Sequence, residues 1–366
     1  MSSSTSISDA KRTAWWLLGA AASALLVAVL LEGLLRLLPA GSDLHRENPQ
    51  RPQSSARLVR NLEYTFSMGW DFRHVVRGRT NSMGFISPHE YRKDDRALAL
   101  IGDSFAEGEM LSYEDSLAGH LDARAAGAFR TFNFGLSGAA LPHYLGIARE
   151  MGPQFRFGAA VVIVGPGDYS EGFEEKEGQY RWGGRAGEDD IALVPAASRS
   201  ELKQMARSSA LMRYLRGNLK FSPAALFESA GQARCRPVRL AETDLLRLGR
   251  YIDALPAALG LAPGRIVMIF NGNTREVYER VDRAQTGERP AACPTIDSLA
   301  LAELHALAEQ RGMQVVDVVP LLEQHYRKHR RPLDFRPVDP HWNGLATSVI
   351  AAEVARRLDI GKSRLF

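Results

Sequence analysis

Three residue types in this sequence could act together on an acyl group: a serine, Ser104, and an acidic residue and an imidazole, Asp339 and His341. An imidazole can take the proton of a serine hydroxyl and later return it to a leaving group. A carboxylate on the other ring nitrogen orients the imidazole and stabilises its charged form. Asp339 and His341 stand two residues apart, so one loop can present both. The set predicts nucleophilic acyl transfer at Ser104.

The position of Ser104 supports this interpretation. It follows Ala97–Ile101, an unbroken apolar run typical of a strand buried on both faces, and Gly102 and Asp103 end that run. A hydroxyl at the carboxyl end of a central parallel strand faces the crevice where open α/β sheets bind ligands. The tripeptide Gly-Asp-Ser alone is weak evidence, so the prediction depends on the residues that accompany it.

Further candidate residues also follow predicted strands. Gly138 closes the segment 133–138 (NFGLSG), and Gly167 lies in the segment 165–168 (GPGD). Because the carboxyl ends of parallel strands meet at one edge of a sheet, we expect these segments to converge with Ser104 and His341. The backbone N–H groups of Ser104 and Gly138 are candidate donors to an oxyanion, since a glycine backbone approaches a ligand closely.

Strands and helices alternate along the second part of the chain. The apolar runs predict strands, and amphipathic stretches between them predict helices, which together favour a parallel sheet covered on both faces. The predicted strands are Ala97–Ile101, Thr131–Phe134, Ala159–Val164, Arg265–Phe270 and Met313–Val319; the predicted helices include Ser116–Ala126, Leu141–Met151, Ile296–Gln310 and Gly344–Leu358.

The motifs resemble those of the GDSL/SGNH hydrolase superfamily, in particular its membrane-anchored bacterial branch. The resemblance runs from about residue 81 to the end and includes the segments 81–85 (NSMGF) and 102–105 (GDSF). It implies a flavodoxin-like three-layer α/β/α sandwich with a parallel sheet. It also implies a catalytic triad of Ser104, Asp339 and His341, with an oxyanion hole at Ser104, Gly138 and the position of Gly167.

Two departures from the family pattern stand out. The family's oxyanion asparagine, in a Gly-x-Asn-Asp motif, is replaced by Gly167, so that side-chain donor is missing. The family's aspartate most often lies three residues before the histidine, where this chain has Val338. If the donor is simply absent, Gly167→Asn is expected to raise ester hydrolysis, provided that Gly167 is not held in a strained positive-φ conformation.

The resemblance implies a serine esterase that removes or transfers acyl groups, with acetyl esters on cell-envelope or secreted glycans as the expected substrates. One alternative is an O-acyltransferase that works with a multi-spanning acyl-carrying partner. Another is a catalytically inactive binding or scaffold protein of the same fold. None of these needs a cofactor or a metal. The net charge of +4 is mild, and no basic–aromatic pattern suggests nucleic-acid binding.

The first part of the chain predicts one membrane crossing. Ala14–Leu31 is uncharged and long enough to span a bilayer, and Lys11 and Arg12 before it favour a cytoplasmic amino end. A cleaved signal peptide is the alternative. We expect a cytoplasmic segment 1–12, an anchor 13–38, a stalk 39–82 and a domain 83–366 with a helical insertion at about 169–259. The expected location is the bacterial inner membrane, with the domain on the periplasmic side.

Several other residues have competing interpretations. Ser137 is a rival nucleophile, because Gly135–Ala139 (GLSGA) nearly matches the G-x-S-x-G elbow. Cys235 and Cys293, the two cysteines, are expected to form a disulfide if the domain is exported, and two unpaired thiols are the alternative. His325 and His329 have the spacing of helical metal ligands, but the basic residues beside them favour a solvated face. The basic cluster 327–331 is a solvated helix end or a contact for anionic lipid or glycan.

Overall fold

The structure, a computed structural model, describes residues 4–42, 44–47, 54–183, 191–196, 207–221, 238–272, 274–283 and 293–361. The strands are β1 Arg46–Glu47, β2 Arg57–Leu58, β3 Glu63–Met68, β4 His74–Arg79, β5 Ala97–Ile101, β6 Arg130–Asn133, β7 Phe157–Val164, β8 Tyr180–Trp182, β9 Ile191–Leu193, β10 Ile266–Phe270, β11 Gln314–Asp317, β12 Asp334–Phe335 and β13 Asp339–Trp342. The α-helices are α1 Ser4–Leu35, α2 Ser104–Glu107, α3 Leu117–Ala125, α4 Leu141–Met151, α5 Ala210–Arg213, α6 Glu242–Leu259, α7 Thr274–Arg283, α8 Ile296–Gln310, α9 Val318–His329 and α10 Gly344–Arg357.

A five-stranded parallel sheet forms the centre of the larger unit. Its strand order is β11–β10–β7–β5–β6, so β5, which leads to Ser104, lies between β6 and β7. Every residue of β5 and β10 is buried, as expected of strands covered on both faces. All five predicted strands are present, but the last ends at Asp317 because that side chain accepts the backbone N–H of Val319 and begins α9.

Helices cover both faces of this sheet. Alternate residues of β5 point to opposite sides: Ala97, Ala99 and Ile101 enter one core cluster, and Leu98 and Leu100 enter the other. The first cluster is completed by α4, α6 and α8, and the second by α3, α7, α9 and α10. The predicted three-layer α/β/α sandwich is confirmed.

The chain divides into two compact units. One contains residues up to 43 together with Thr65–Val75 and the described residues 207–221; the other contains the sheet. In the first unit, α1 includes the 25-residue stretch Lys11–Leu35, which contains an 18-residue window of mean hydropathy 2.2 and is long and apolar enough to cross a membrane. Near its end Glu32 accepts the backbone N–H groups of Ala210 (3.0 Å) and Leu211 (2.9 Å), at the start of α5. The carboxyl end of the apolar helix is therefore part of a folded unit.

The segment 39–82 differs from the expected stalk. It contains β1 to β4, and Leu58, Thr80 and Asn81 within it are buried. Residues 44–64 and 76–82 belong to the same unit as the sheet. The Thr80 hydroxyl accepts a hydrogen bond from the backbone N–H of Leu62 and donates one to the carbonyl of Val59. These bonds explain why this polar stretch is ordered although its sequence has no hydrophobic periodicity.

The expected helical insertion at 169–259 is also corrected. Its last helix, α6, packs Leu248, Ile252 and Leu255 into the first core cluster and is one of the helices that cover the sheet. The described residues 207–221 belong to the unit of the apolar helix. What remains beside the sheet edge is the segment from Tyr169 to β9, which carries a short 3₁₀ turn and the β8–β9 pair.

Candidate active site

Ser104 is the first residue of α2, at the carboxyl end of β5. The turn before it is tight: a Cβ at Gly102 would lie 3.0 Å from Ala106 Cβ and 3.1 Å from Ile163 Cβ, so a glycine suits this position. Asp103 closes the turn by accepting the backbone N–H of Phe105 at 2.9 Å. The sequence G-D-S thus fixes the serine on a sharp strand-to-helix connection.

His341 and Asp339 meet Ser104 on β13, although they lie more than 230 residues later in the chain. Ser104 Oγ is 2.6 Å from His341 Nε2, and His341 Nδ1 is 2.5 Å from Asp339 Oδ1. Because the carboxylate can only accept, Nδ1 carries the proton and Nε2 is left to accept from the serine hydroxyl. The three predicted residues form one continuous hydrogen-bonded relay.

The three residues of the relay differ in how deeply they are buried. Asp339 is only 3 % exposed, while His341 and Ser104 are half-buried. Phe105 packs against the imidazole of His341 and the indole of Trp342, with ring centroids 4.7 Å apart in both pairs. Trp342 is buried in the second core cluster. The imidazole is held from one side by the core and is open to a substrate at the serine.

Gly138 lies on the loop after β6, beside the serine turn. The loop continues the sheet pairing: Phe134 N–H donates to the Leu100 carbonyl and Leu136 N–H to the Gly102 carbonyl. Gly138 has φ +69°, is exposed, and adopts the left-handed conformation that favours glycine. Among the described residues, no group accepts a hydrogen bond from the backbone N–H of Ser104 or of Gly138. Both donors are therefore available to a ligand.

Gly167 also has a positive φ, +101°, and Glu171 lies beside the position that a side chain here would take. A Cβ at position 167 would lie 3.1 Å from Glu171 Oε1. The other carboxylate oxygen of Glu171 accepts from Lys176 Nζ at 2.7 Å, and the same ammonium donates to the Gly138 carbonyl at 3.1 Å. A side chain at position 167 would therefore border a lysine–glutamate ion pair.

Two acidic side chains outside the relay, Asp103 and Asp168, lie close together at the serine turn. Asp103 and Asp168 each come within 3.8 Å of the position that a Cβ on Gly165 would take. Desolvation raises the pKa of Asp103 to about 6, although the nearby His341 lowers it. Desolvation, and then the charge of Asp103, raise the pKa of Asp168 well above its usual range. Asp168 accepts from the Gly165 N–H (2.7 Å) and from Tyr144 Oη (3.0 Å), so it fixes the loop after β7.

Ser137, the rival nucleophile, has a carboxylate and, within the described part of the chain, no imidazole as the partner of its hydroxyl. Its hydroxyl donates a short hydrogen bond to Glu107 Oε2, and its backbone N–H donates to the same oxygen at 3.2 Å. Desolvation, with a smaller contribution from Glu109, raises the pKa of Glu107 to about 8. Ser137 therefore serves as a hydrogen-bonding link between the end of α2 and the loop of Gly138.

Five other histidines take structural positions. His120 Nε2 is 3.1 Å from the Gly344 carbonyl, which ties α3 to α10. His143 is buried, and desolvation lowers its pKa to about 3, so it is neutral. His305 packs on Phe270. The rings of His325 and His329 on α9 lie 4.5 Å apart and are tilted by 36° to each other, and among the residues described no group of three potential ligands could hold a metal ion.

Two other expectations concern the basic cluster and the cysteines. In the cluster 327–331, Arg327 pairs with Glu323 and Arg330 with Asp282, in keeping with a solvated helix end. Cys293 is disulfide-bonded. Cys235 lies outside the described residues, so the pairing of these two cysteines stays a prediction.

The sequence did not indicate four residues that surround the predicted loops: Arg46, Glu107, Lys176 and Gln179. Glu107 lies one helical turn after Ser104, and that spacing is the one signal that could have drawn attention to it. The other three come from segments without strand or helix periodicity. Their contacts depend on long-range packing.

No protein-family model matches this chain, and no curated protein matches it. Among solved structures it is similar to LAE5, an α/β hydrolase enzyme from the metagenome of Lake Arreo in Spain, with 14% identity over 75% of this chain and 99% of the other and a TM-score of 0.39. It is similar to Est24, a carbohydrate acetylesterase from Sinorhizobium meliloti, with 9% identity, 72% and 98% coverage and a TM-score of 0.36. It is also similar to a two-domain esterase active on acetylated mannans, with 11% identity, 73% and 50% coverage and a TM-score of 0.39. Likeness at these values carries no conclusion about activity.

Proposed function

We propose that this chain is a membrane-anchored serine esterase of the GDSL/SGNH type that cleaves acyl esters, with acetyl groups on cell-envelope or secreted glycans as its substrates. The observation that carries the proposal is the relay Ser104–His341–Asp339, with heavy-atom distances of 2.6 and 2.5 Å. These distances suit a serine whose proton passes to an imidazole oriented by a carboxylate.

In the proposed mechanism, Ser104 Oγ attacks the ester carbonyl carbon while its proton moves to His341 Nε2. Asp339 stabilises the imidazolium, and the backbone N–H groups of Ser104 and Gly138 bind the oxyanion of the tetrahedral intermediate. Collapse of this intermediate breaks the ester C–O bond, and His341 returns the proton to the departing sugar hydroxyl. The acyl-serine is then hydrolysed by a water that His341 deprotonates, which releases the acid and restores the serine.

Transfer to a sugar hydroxyl is the second candidate function. It is favoured by the glycine at position 167, because a site without a side-chain amide donor is a weaker hydrolase. In that case a multi-spanning membrane partner supplies the acyl group, and a sugar hydroxyl replaces water in the second step. The chemistry up to the acyl-serine is the same, so both candidates use the same residues.

The membrane anchor is part of the proposal. The stretch Lys11–Leu35 has the length and hydropathy of a span, and its end is held to α5 through Glu32. That contact favours a retained helix over a cleaved signal peptide. The charges of Lys11 and Arg12 favour a cytoplasmic amino end, which puts the sheet domain on the periplasmic side of a bacterial inner membrane.

The experiment that tests this function is an acetate-release assay on the full chain in detergent or nanodiscs. The substrates are a small activated acetyl ester and an acetylated polysaccharide, with Ser104→Ala as the matched control. We expect acetate release by the wild-type chain and none above background by Ser104→Ala. A folded wild-type chain that releases no acetate, and that forms no acyl-serine detectable by intact mass, would leave only the non-catalytic alternative.

A further inference from the structure

We propose that Arg46 is a positioning residue for the oxyanion donor: its guanidinium holds the Ser137–Gly138 peptide by the carbonyl oxygen and so directs and polarises the Gly138 N–H. The inference rests on the proposed function, since it assigns a task to Arg46 within the same reaction. Arg46 comes from β1, in the segment that the sequence suggested was a stalk.

The geometry of one peptide group carries the argument. Arg46 Nη2 donates to the carbonyl oxygen of Ser137. That carbonyl and the N–H of Gly138 belong to the same amide, which is trans, because the one cis bond in the described part of the chain is Arg336–Pro337. In a planar trans amide the C=O and N–H point in opposite directions. A donor fixed on the oxygen therefore fixes where the N–H points.

The charge of Arg46 adds to this effect. A cationic donor on a carbonyl makes a stronger hydrogen bond than a neutral one, and hydrogen bonds in a chain polarise one another. The Gly138 N–H is thereby made a better donor to a developing oxyanion. A neutral residue at position 46 would remove both the fixed direction and the polarisation.

The neighbouring groups leave this peptide little freedom. With its amide oriented to satisfy both partners, the buried Gln179 accepts from Arg46 at 2.6 and 2.7 Å and donates to the Gly138 carbonyl at 3.1 Å. Lys176 Nζ donates to the same carbonyl at 3.1 Å. Glu107 Oε2 accepts hydrogen bonds from both the hydroxyl and the backbone N–H of Ser137. Of the polar atoms on the Ser137–Gly138 backbone, the Gly138 N–H is the one left for a ligand.

This arrangement has a particular value in this chain. With glycine at position 167, the site has no asparagine amide to share the oxyanion charge. The two backbone N–H donors must stabilise the oxyanion without that amide, so the direction of each matters more to the transition state. Arg46 supports one of them, while the turn at Gly102–Asp103 sets the other.

The test compares Arg46→Met and Arg46→Lys with Arg57→Met in the full chain. Arg57 is a matched control: it lies on β2, opposite Glu47 in the β1–β2 pair, and its guanidinium binds Glu150 and stacks on Phe85. Steady-state kinetics on a small activated acetyl ester separate kcat from KM, and thermal unfolding reports the fold. Exogenous guanidinium is then added to Arg46→Ala.

We expect Arg46→Met to lower kcat by about tenfold or more, a part of the loss seen when an oxyanion donor is removed, with KM within a factor of about two. Arg46→Lys is expected to be intermediate, Arg57→Met to keep its kcat, and guanidinium to restore part of the rate of Arg46→Ala. An unchanged kcat in a folded Arg46→Met variant would overturn the proposal. So would an equal loss of kcat in Arg57→Met. If Ser104→Ala also retains full activity, the proposed function itself fails, which is a separate result.

Discussion

Asp339 Oδ1 binds His341 twice, at the ring Nδ1 (2.5 Å) and at the backbone N–H (2.9 Å). A spacing of two residues makes this possible, because a carboxylate can reach the N–H of the second residue onward in an Asx-type turn. The shorter spacing therefore does not loosen the pair. It fixes the carboxylate to the same backbone that carries the imidazole.

This double contact leads to a prediction for Asp339→Asn. Either orientation of the amide must compromise one of the two contacts: the oxygen suits the backbone N–H, while an amide nitrogen facing Nδ1 favours the wrong ring tautomer. We expect kcat to fall on the order of a thousandfold or more, with the fold retained. Kinetics with circular dichroism check this, and a loss below about tenfold would show that Asp339 does not orient the imidazole.

Gly167→Asn is expected to lower activity, contrary to the rate increase that the missing amide suggested from the sequence. The φ of +101° lies outside the left-handed region near +57° that asparagine adopts, and the new Cβ would meet Glu171 at 3.1 Å. The strain is of order 1–3 kcal/mol. Thermal unfolding and ester kinetics on Gly167→Asn and Gly167→Asn/Glu171→Ala test this. A stable single variant with a raised rate would contradict it.

Glu107 is expected to make the domain less stable as the pH rises from about 5 to 8. Burial raises the pKa of Glu107 to about 8, so between its ordinary value and 8 the folded state binds a proton that the unfolded state has lost. Asp103 and Asp168 act in the same direction, since desolvation raises their pKa values too. In denaturant titrations at several pH values, Glu107→Gln should make the free energy of unfolding depend less on pH. The control Glu114→Gln, at an exposed position, should leave that dependence unchanged. An unchanged slope would show that Glu107 is not buried as a neutral acid.

The topology predicts the behaviour of reporters fused after Phe366. With Lys11 and Arg12 retained in the cytoplasm, a reporter that is active only in the cytoplasm should be silent. A reporter that is active only outside the cytoplasm should give signal. The double substitution Lys11→Glu/Arg12→Glu should weaken this preference for one orientation of the span. A strong cytoplasmic signal from the unaltered chain would reverse the proposed topology.

Some of this molecule could be predicted from its sequence because the relevant signals are local. The run Ala97–Ile101 is buried on both faces, and the strands that follow it end at one edge, so Ser104 and His341 were expected to meet. Arg46 and Lys176 lie in segments with no periodicity, and each donates to a backbone carbonyl, a contact that leaves no trace in sequence. The sequence places the helix Glu242–Leu259 in an insertion, because the apolar stripe of a helix does not indicate which face of a sheet the helix covers.

Covalent labelling of the full chain with a fluorophosphonate tests the central claim most directly, since this reagent reacts with a serine that a nearby base activates and hardly with an ordinary hydroxyl. We expect stoichiometric labelling of the wild-type chain, with the adduct on the peptide that contains Ser104. Ser104→Ala and His341→Ala should not be labelled, while Ser137→Ala should be labelled as fast as the wild type or within a few-fold of it. Labelling at Ser137, or no labelling of a folded wild-type chain, would contradict the account.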